Sequence, residues 1–234
     1  MSEHNISLYA SRDVGDRGGM IGGSSWNDLF AVEPWGCRRR FWLSYMGTKQ
    51  DEDFKEAVWT KRGKDLEEVI LKMYSEKFGV SLATWDTLVK KDWEFDGDIP
   101  DWSWPHLDGI IEYHPKMKGM GVVDAKCLFP KSCTELLTKG ITDGYAMQLN
   151  HYLAATGYQW GALAILDFMN WEVHELIYEF DEDEWKAQKA RAAEELDLLM
   201  YSKRLPDILP NGLKDEPHKS CQTCRYFHTC RSMK

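Results

Sequence analysis

The chain has 234 residues, 43% of them hydrophobic, with 11 Trp, 10 Tyr and 9 Phe and a formal net charge of -9. That composition excludes a disordered polymer, and the length excludes two large domains while allowing one well-filled core with at most a small appendage. No apolar run reaches the roughly 18 residues that span a bilayer, and the polar, glycine-rich N-terminal stretch lacks the apolar segment of a secretory signal. A cytoplasmic protein without membrane partners is expected, and in a reducing compartment closely spaced thiols point to metal or cluster ligation rather than disulfides.

Residues 1–23 are rich in Gly, Ser and Asp and read as a flexible arm. Ser24 or Ser25 is placed to cap a short helix carrying Trp26, Leu29 and Phe30. After Pro34, the stretch CRRRFWLSYMG predicts a second helix with Cys37 at its start, so that 24–60 form an N-terminal helical segment. A core over 61–205 follows. Its first helix runs from Lys61 to Phe78, where Ile70, Leu71, Tyr74 and Phe78 make an apolar stripe that also carries Glu67. Strands are predicted over Val80–Phe95, His106–Tyr113 and Met120–Cys127, the last two joined as a hairpin through His114-Pro115-Lys116 and Lys118-Gly119. Thr134–Gly157 reads mainly as helix, with Tyr145, Gln148, Leu149, Tyr152 and Leu153 on one face. Gly161–Phe168 and Trp171–Phe180 are two further strands around a Met169-Asn170 turn. Asp181 caps a last long helix ending near Leu205, and a linker with Pro206, Pro210 and Pro217 leads through the 206–234 segment. The order predicts a mixed α/β core, a central sheet flanked by helices.

Alternation along Val122-Val123-Asp124-Ala125-Lys126-Cys127 puts Asp124 and Lys126 on one face and Val123, Ala125 and Cys127 on the other. Asp108 begins the outward part of the neighbouring strand, beside Gly109, which leaves room for close approach. Two strand carboxylates a few ångströms apart repel unless a cation lies between them, so Mg2+ or Mn2+ is the natural occupant. Phosphodiester hydrolysis uses such a set: carboxylates fix the metal, the metal acidifies water and polarises the phosphoryl oxygen, and Lys126 steadies the developing charge. Glu67 can complete the coordination, His106 is near enough to Asp108 to serve as a ligand, and Gln148 and Tyr152, one helical turn apart, can orient the lysine, the water or a phosphate.

A negative net charge is awkward for a nucleic-acid binder, but bound cations and local basic patches resolve it. The patches are Arg38-Arg39-Arg40 and Arg62 with Lys64, and Trp102 and Trp104, in a polar loop before Asp108, are candidates for stacking on unpaired bases. Taken alone, the arginine run reads as a solvated helix face, Asp-x-Lys as a solvated strand edge, and the many Trp residues as core.

Cys221, Cys224 and Cys230 form C-x2-C-x5-C, with Cys37 remote in sequence. Two metal centres compete here. Zinc could take Cys221, Cys224, His228 and Cys230 by local spacing and leave Cys37 idle, whereas a 4Fe-4S cluster would use four thiolates and staple the two ends of the chain together. Cys127 and Cys133 read as ordinary thiols.

The ordered set Glu67, Asp108, Asp124-Ala125-Lys126 and Gln148-x3-Tyr152 resembles the RecB-type branch of the PD-(D/E)XK nuclease superfamily. The flanking cysteines resemble those of its iron-sulphur members of the AddB and CRISPR-adaptation exonuclease type. The resemblance implies a restriction-endonuclease-like fold and metal ligation by Asp108, Asp124 and the carbonyl of Ala125, with Glu67 in support and Lys126 as the catalytic lysine. It also implies a structural 4Fe-4S cluster on Cys37, Cys221, Cys224 and Cys230. The histidine that many relatives place upstream of the glutamate is Gly63 here. The expected activity is metal-dependent DNA exonucleolysis on single strands or duplex ends, in recombination, repair or CRISPR adaptation, with a phage role equally open. No G-x4-G-K-[ST] motif is present, so any helicase, recombinase or CRISPR-adaptation complex is a separate partner. A structure-specific endonuclease and a non-catalytic binding module are the alternatives.

Overall fold

The computed structural model describes residues 19–84, 87–88, 95–202, 206–207 and 218–233. Residues 1–18 of the expected arm, the 89–94 stretch of the first expected core strand, and Pro210 and Pro217 of the linker lie outside these. In chain order the elements are β1 (Ile21–Gly22), α1 (Ser25–Leu29), α2 (Arg38–Tyr45), α3 (Val58–Phe78), β2 (Ser81–Thr84), β3 (Ser103–Trp104), β4 (Gly109–Tyr113) and β5 (Gly121–Leu128). They continue as α4 (Pro130–Lys139), α5 (Asp143–Thr156), β6 (Trp160–Asp167), β7 (Glu172–Glu179), α6 (Glu182–Ser202), α7 (Lys219–Gln222) and α8 (Phe227–Ser232). Among the described residues no helix is long and apolar enough to cross a membrane.

Five strands form one mixed sheet in the order β2-β4-β5-β6-β7, in which only the central pair β5–β6 is parallel. A parallel pair needs a crossover, and α4 and α5 supply it. Strand β6 is buried at every position, as expected of a central strand covered on both faces. On one face Ile70, Leu71 and Tyr74 of α3 pack with Val123, Ala162, Ala164 and Leu166. On the other, Leu149, Tyr152 and Leu153 of α5 pack with Ile110, Val122, Leu163 and Ile165. The alternation expected of β5 therefore holds: residues of Val122's parity, Asp124 and Lys126 among them, face α5. Helix α3 stops at Gly79, whose left-handed φ of 68° lets its N–H close onto the Ser75 carbonyl at 2.9 Å.

A third cluster joins Trp26, Leu29, Phe30 and Phe41 from α1 and α2 to Trp185, Ala192 and Leu196 of α6. Asp181 caps α6 as expected, accepting from Glu184 N at 2.9 Å, and its own N–H donates to the buried Asn150 Oδ1 of α5 at 3.1 Å. Ser24 holds the N-cap position of α1 without a side-chain cap bond.

Four expectations change. Of the strand expected over Val80–Phe95, Ser81–Thr84 is strand, and described residues 87–88 are helical. The 19–23 part of the arm is structured, because β1 pairs in parallel with β3 and Ile21 is fully buried. The long helix expected over 134–157 is two helices, since Gly140 (φ 85°) ends α4 before α5 begins. Trp104, expected in an accessible loop, lies in β3 at 1% exposure and belongs to the α5-side core, out of reach of a base.

The C-terminal segment is docked by side chains from early in the chain. Asp51 accepts from His228 N (2.7 Å), Thr229 N (3.1 Å) and Thr229 Oγ1 (2.6 Å), so it serves the start of α8 as a remote cap. Replacing Asp51 with Ala is expected to cost about 1 kcal/mol locally. Amide exchange across 227–233 should then speed by about fivefold while the sheet amides keep their protection. Unchanged exchange in α8 contradicts the clamp.

Candidate active site

The site arises where β4 runs out. The β4–β5 ladder reaches Gly109↔Val123 and stops, so among the described residues Asp124–Leu128 pair only with β6. Asp108, just ahead of β4, takes the next place in that ladder through its side chain: Oδ2 accepts from Ala125 N at 2.7 Å. One carboxylate thus lies against the backbone of the very strand that carries the other.

Asp124 is 1% exposed. Its Oδ1 accepts from Gln148 Nε2 at 3.0 Å, and the same amide nitrogen donates to Tyr152 Oη at 2.9 Å. The Lys126 ammonium pairs with Asp124 Oδ2. Burial, then the neighbouring Asp124 charge, raises the Asp108 carboxyl well above its ordinary range, with Glu67 adding to the rise and Lys126 opposing it. Burial alone would lower Lys126, but the charges of Asp124 and Asp108 prevail and push it up to about 12. The lysine is therefore a firmly held cation facing two crowded acids.

Of the expected catalytic set, Asp108, Asp124, Lys126, Gln148 and Tyr152 come together, and Glu67 is close enough to act on Asp108 electrostatically. His106 is half-buried two residues before Asp108. Two contributors were not singled out from sequence. Tyr145, one turn before Gln148, sets its ring 5.5 Å from Lys126 Nζ. Gly23 backs Tyr152 so closely that a Cβ there would lie 2.3 Å from the hydroxyl, so the glycine is what lets β1's loop close over the Gln-Tyr pair. Tyr145 shares the Gln148 face by helical spacing, a signal that was available; the approach of Gly23 was not.

The basic candidates behave differently. Arg38 pairs with Glu195. Arg39 is buried, donating to the carbonyls of Pro206 (3.1 Å), Cys230 (3.1 Å) and Met233 (2.7 Å). Arg40 grips Asp28 through Nε (2.7 Å) and Nη2 (2.5 Å) and also reaches the carbonyls of Ser220 (3.3 Å) and Trp35 (2.7 Å). Arg39 and Arg40 tie α2 to the C-terminal segment, and the buried Arg39 offers no surface to DNA. Lys64 pairs with Glu56 at 2.7 Å. Trp102 is half-buried against Trp26 at a ring separation of 6.0 Å. Arg62 lies over the rings of Phe129 (4.6 Å) and Phe168 (4.0 Å).

Cys37, Cys221, Cys224 and Cys230 form one neighbourhood. Burial raises the Cys221 thiol, helped by the charges of Cys37 and Cys230. Burial pushes Cys224 up to about 11, with Cys37 and Cys221 adding to it. The Cys37 Sγ also accepts from Arg40 N at 3.4 Å. His228 turns toward Asp53, 3.2 Å away. None of the six cysteines is in a disulfide, and Cys133 is buried in the core. Among the described residues no three His, Cys, Asp or Glu side chains converge closely enough to hold a metal ion as they stand.

An acidic residue at the head of one strand, Asp-x-Lys on the next, and a Gln-x3-Tyr helix across them define a PD-(D/E)XK-type nuclease fold. The chain belongs to the YqaJ-like viral recombinase domain family, whose profile matches residues 14–159. It is similar to the crystal structure of an alkaline exonuclease from Laribacter hongkongensis (TM-score 0.60, 16% identity, 80% of this chain and 90% of that one). The same enzyme in complex with dAMP matches at TM-score 0.60 and 17% identity over 80% and 90% of the two chains. A phage-related exonuclease from Haemophilus somnus 129PT matches at TM-score 0.50 and 16% identity over 79% and 96%. Likeness at these identities speaks for the fold. No curated protein matches the chain. The family match ends before Cys221, so it covers the carboxylate-lysine site but not the cysteine-rich end.

Because Lys126 moves from an ordinary 10.5 to about 12, its ion pair stabilises the fold fully below pH 10.5, and that contribution is lost as pH rises through 12. Lys126→Met is expected to be less stable at neutral pH and to show a shallower fall in unfolding midpoint across this window. Parallel declines in the two proteins contradict the pairing.

Proposed function

We propose that this protein is a divalent-metal-dependent deoxyribonuclease that degrades DNA from ends during recombination. The observation that carries the reading is the desolvated pair Asp108 and Asp124 facing the charged Lys126 at the end of the β4–β5 ladder. Hard oxygen donors crowded against each other fit Mg2+ or Mn2+, and Asp108, Asp124, the Ala125 carbonyl and Glu67 would hold the ion, with His106 a further candidate. Such an ion, when bound, supplies Lewis acidity and an acidified water. The chain's own groups do the rest. Gln148, braced by Tyr152, fixes the rotamer of Asp124. Lys126 keeps its proton at working pH and so offers a permanent positive charge to the attacking oxygen or to the phosphoryl charge as it builds. Family membership and fold support DNA as the substrate, as does the exonuclease character of the structural neighbours.

The same proposal assigns a 4Fe-4S cluster to Cys37, Cys221, Cys224 and Cys230. Its support is that the remote Cys37 sits with the other three thiols while the His228 ring faces Asp53, and that Arg39 and Arg40 bring positive charge beside sulphurs that must be thiolates to ligate. The role is structural, tying α2 to the C-terminal segment. The protein works alone or beside a separate helicase, recombinase or CRISPR-adaptation complex.

Linear duplex DNA in Mg2+ should be degraded while covalently closed circles survive; cutting of circles would favour a structure-specific endonuclease instead. Asp124→Asn and Lys126→Ala should each lower the rate by at least about 10²–10³-fold with the fold retained, and persistent cleavage in both rejects the assignment. Anaerobically purified protein should absorb broadly near roughly 400 nm and lose the band in Cys37→Ser; a colourless, zinc-containing protein removes the cluster.

A further inference from the structure

The parallel pair β5–β6 ends in a group of aromatic side chains that the catalytic set does not use. Phe129 follows β5 directly, and Phe168 follows β6, tied to it by Phe168 N donating to Leu128 O at 2.9 Å. Trp171 stands at the β6–β7 tip. The rings meet edge-on, Phe129 with Phe168 at 6.0 Å and Phe168 with Trp171 at 6.5 Å. Phe129 is 50% exposed, Trp171 51% and the adjoining Met169 65%, so this is a surface the protein leaves uncovered rather than core.

The surface is also held rigid. Asp167 accepts from Met169 N (3.1 Å), Asn170 N (3.2 Å) and Asn170 Nδ2 (2.8 Å), and Trp171 is fixed at a φ of 56°, a conformation that bulky residues rarely keep without a reason. Behind the rings lies Arg62, whose guanidinium covers both phenylalanines and also bonds the Cys127 thiol, while its buried Nε has no hydrogen-bond partner among the described residues. Arg62 places one positive charge against the rings, while Asp167 and the Lys77-paired Glu172 lie at the tip beside Trp171.

Flat exposed rings backed by the Arg62 guanidinium suit a chain of unpaired bases on an anionic backbone. A closed duplex keeps its base faces internal and cannot offer them. Phe129 is three residues beyond Lys126, about 10 Å along an extended strand, so its side chain turns to the opposite face, over Arg62 of α3, at the same end of β5. We propose that Phe129, Phe168 and Trp171, backed by Arg62, form a stacking platform at the end of β5 that receives unpaired bases of the DNA strand. This rests on the nuclease reading of the site.

Binding is measured by fluorescence anisotropy with a labelled oligothymidine and with a closed duplex hairpin, in EDTA so that no strand is cut. Phe129→Ala and Trp171→Ala should each weaken oligothymidine binding by about fivefold to 150-fold and hairpin binding by less than about twofold. Phe129→Leu and Trp171→Leu keep apolar bulk and lose the ring; they should weaken binding in the same direction and guard against misfolding of the alanine variants. Oligothymidine affinity within about twofold of wild type, equal losses on both ligands, or no oligothymidine binding by the wild type overturns the platform. Cleavage of linear DNA by the wild type in Mg2+ is read separately, so failure of the nuclease reading shows as absent cleavage with stacking intact.

Discussion

The carboxylates of Asp108 and Asp124 share a pocket at the edge of β5 from which most water is excluded, and their mutual repulsion organises the rest of the site. Left alone, such a pair takes up a proton, which is the direction in which Asp108 is driven. Lys126 opposes this from the same strand, gaining a strengthened hold on its own proton. Each remaining member is placed by that contest. Gln148 and Tyr152 fix Asp124 from α5, the Ala125 amide fixes Asp108, and Glu67 adds a third negative charge from α3. A compact arrangement of this sign and geometry is inefficient as a stabilising device, because burying like charges costs more than an apolar isostere would. It makes sense as a receptor for a cation.

The scaffold supplies this crowding by stopping one strand early. Had β4 continued past Gly109, the Ala125 amide would bond a backbone carbonyl and Asp108 would be displaced. The parallel β5–β6 pair then places everything downstream at one end of the sheet: Lys126, Phe129 and the β6–β7 tip. The two helical layers hold the pair from both faces, and Arg39 and Arg40 pin the C-terminal segment to α2.

Much of this was readable from residues alone, for identifiable reasons. The faces of β5 followed from alternation, because a strand with helices on both sides leaves its polar pair at Asp124 and Lys126 as the exception that needs an explanation. The Gln148-Tyr152 face followed from helical spacing, and the Asp181 cap from its position ahead of a polar helix. Where long-range contact decided the outcome, local pattern failed. Trp104 lies in a polar stretch, yet pairing of β3 with β1 carries it into the core. Arg38, Arg39 and Arg40 look like a solvated basic run, and only the docking of the C-terminal segment shows that Arg39 and Arg40 serve its carbonyls. The break at Gly140 was visible as a glycine but outweighed by the flanking helical pattern. The exposure of Phe129 and Trp171 could not be read at all, since aromatic residues at strand ends are core by default.

The central claim is that Asp108 and Asp124 together bind a divalent ion. Electron paramagnetic resonance of Mn2+ titrated with the protein tests it without relying on catalysis or on DNA. Wild-type protein should abolish the free-ion signal up to a defined stoichiometry, and Asp108→Asn or Asp124→Asn should restore most of it. A free-ion signal undiminished by the wild-type protein, or diminished equally by all three, contradicts the account.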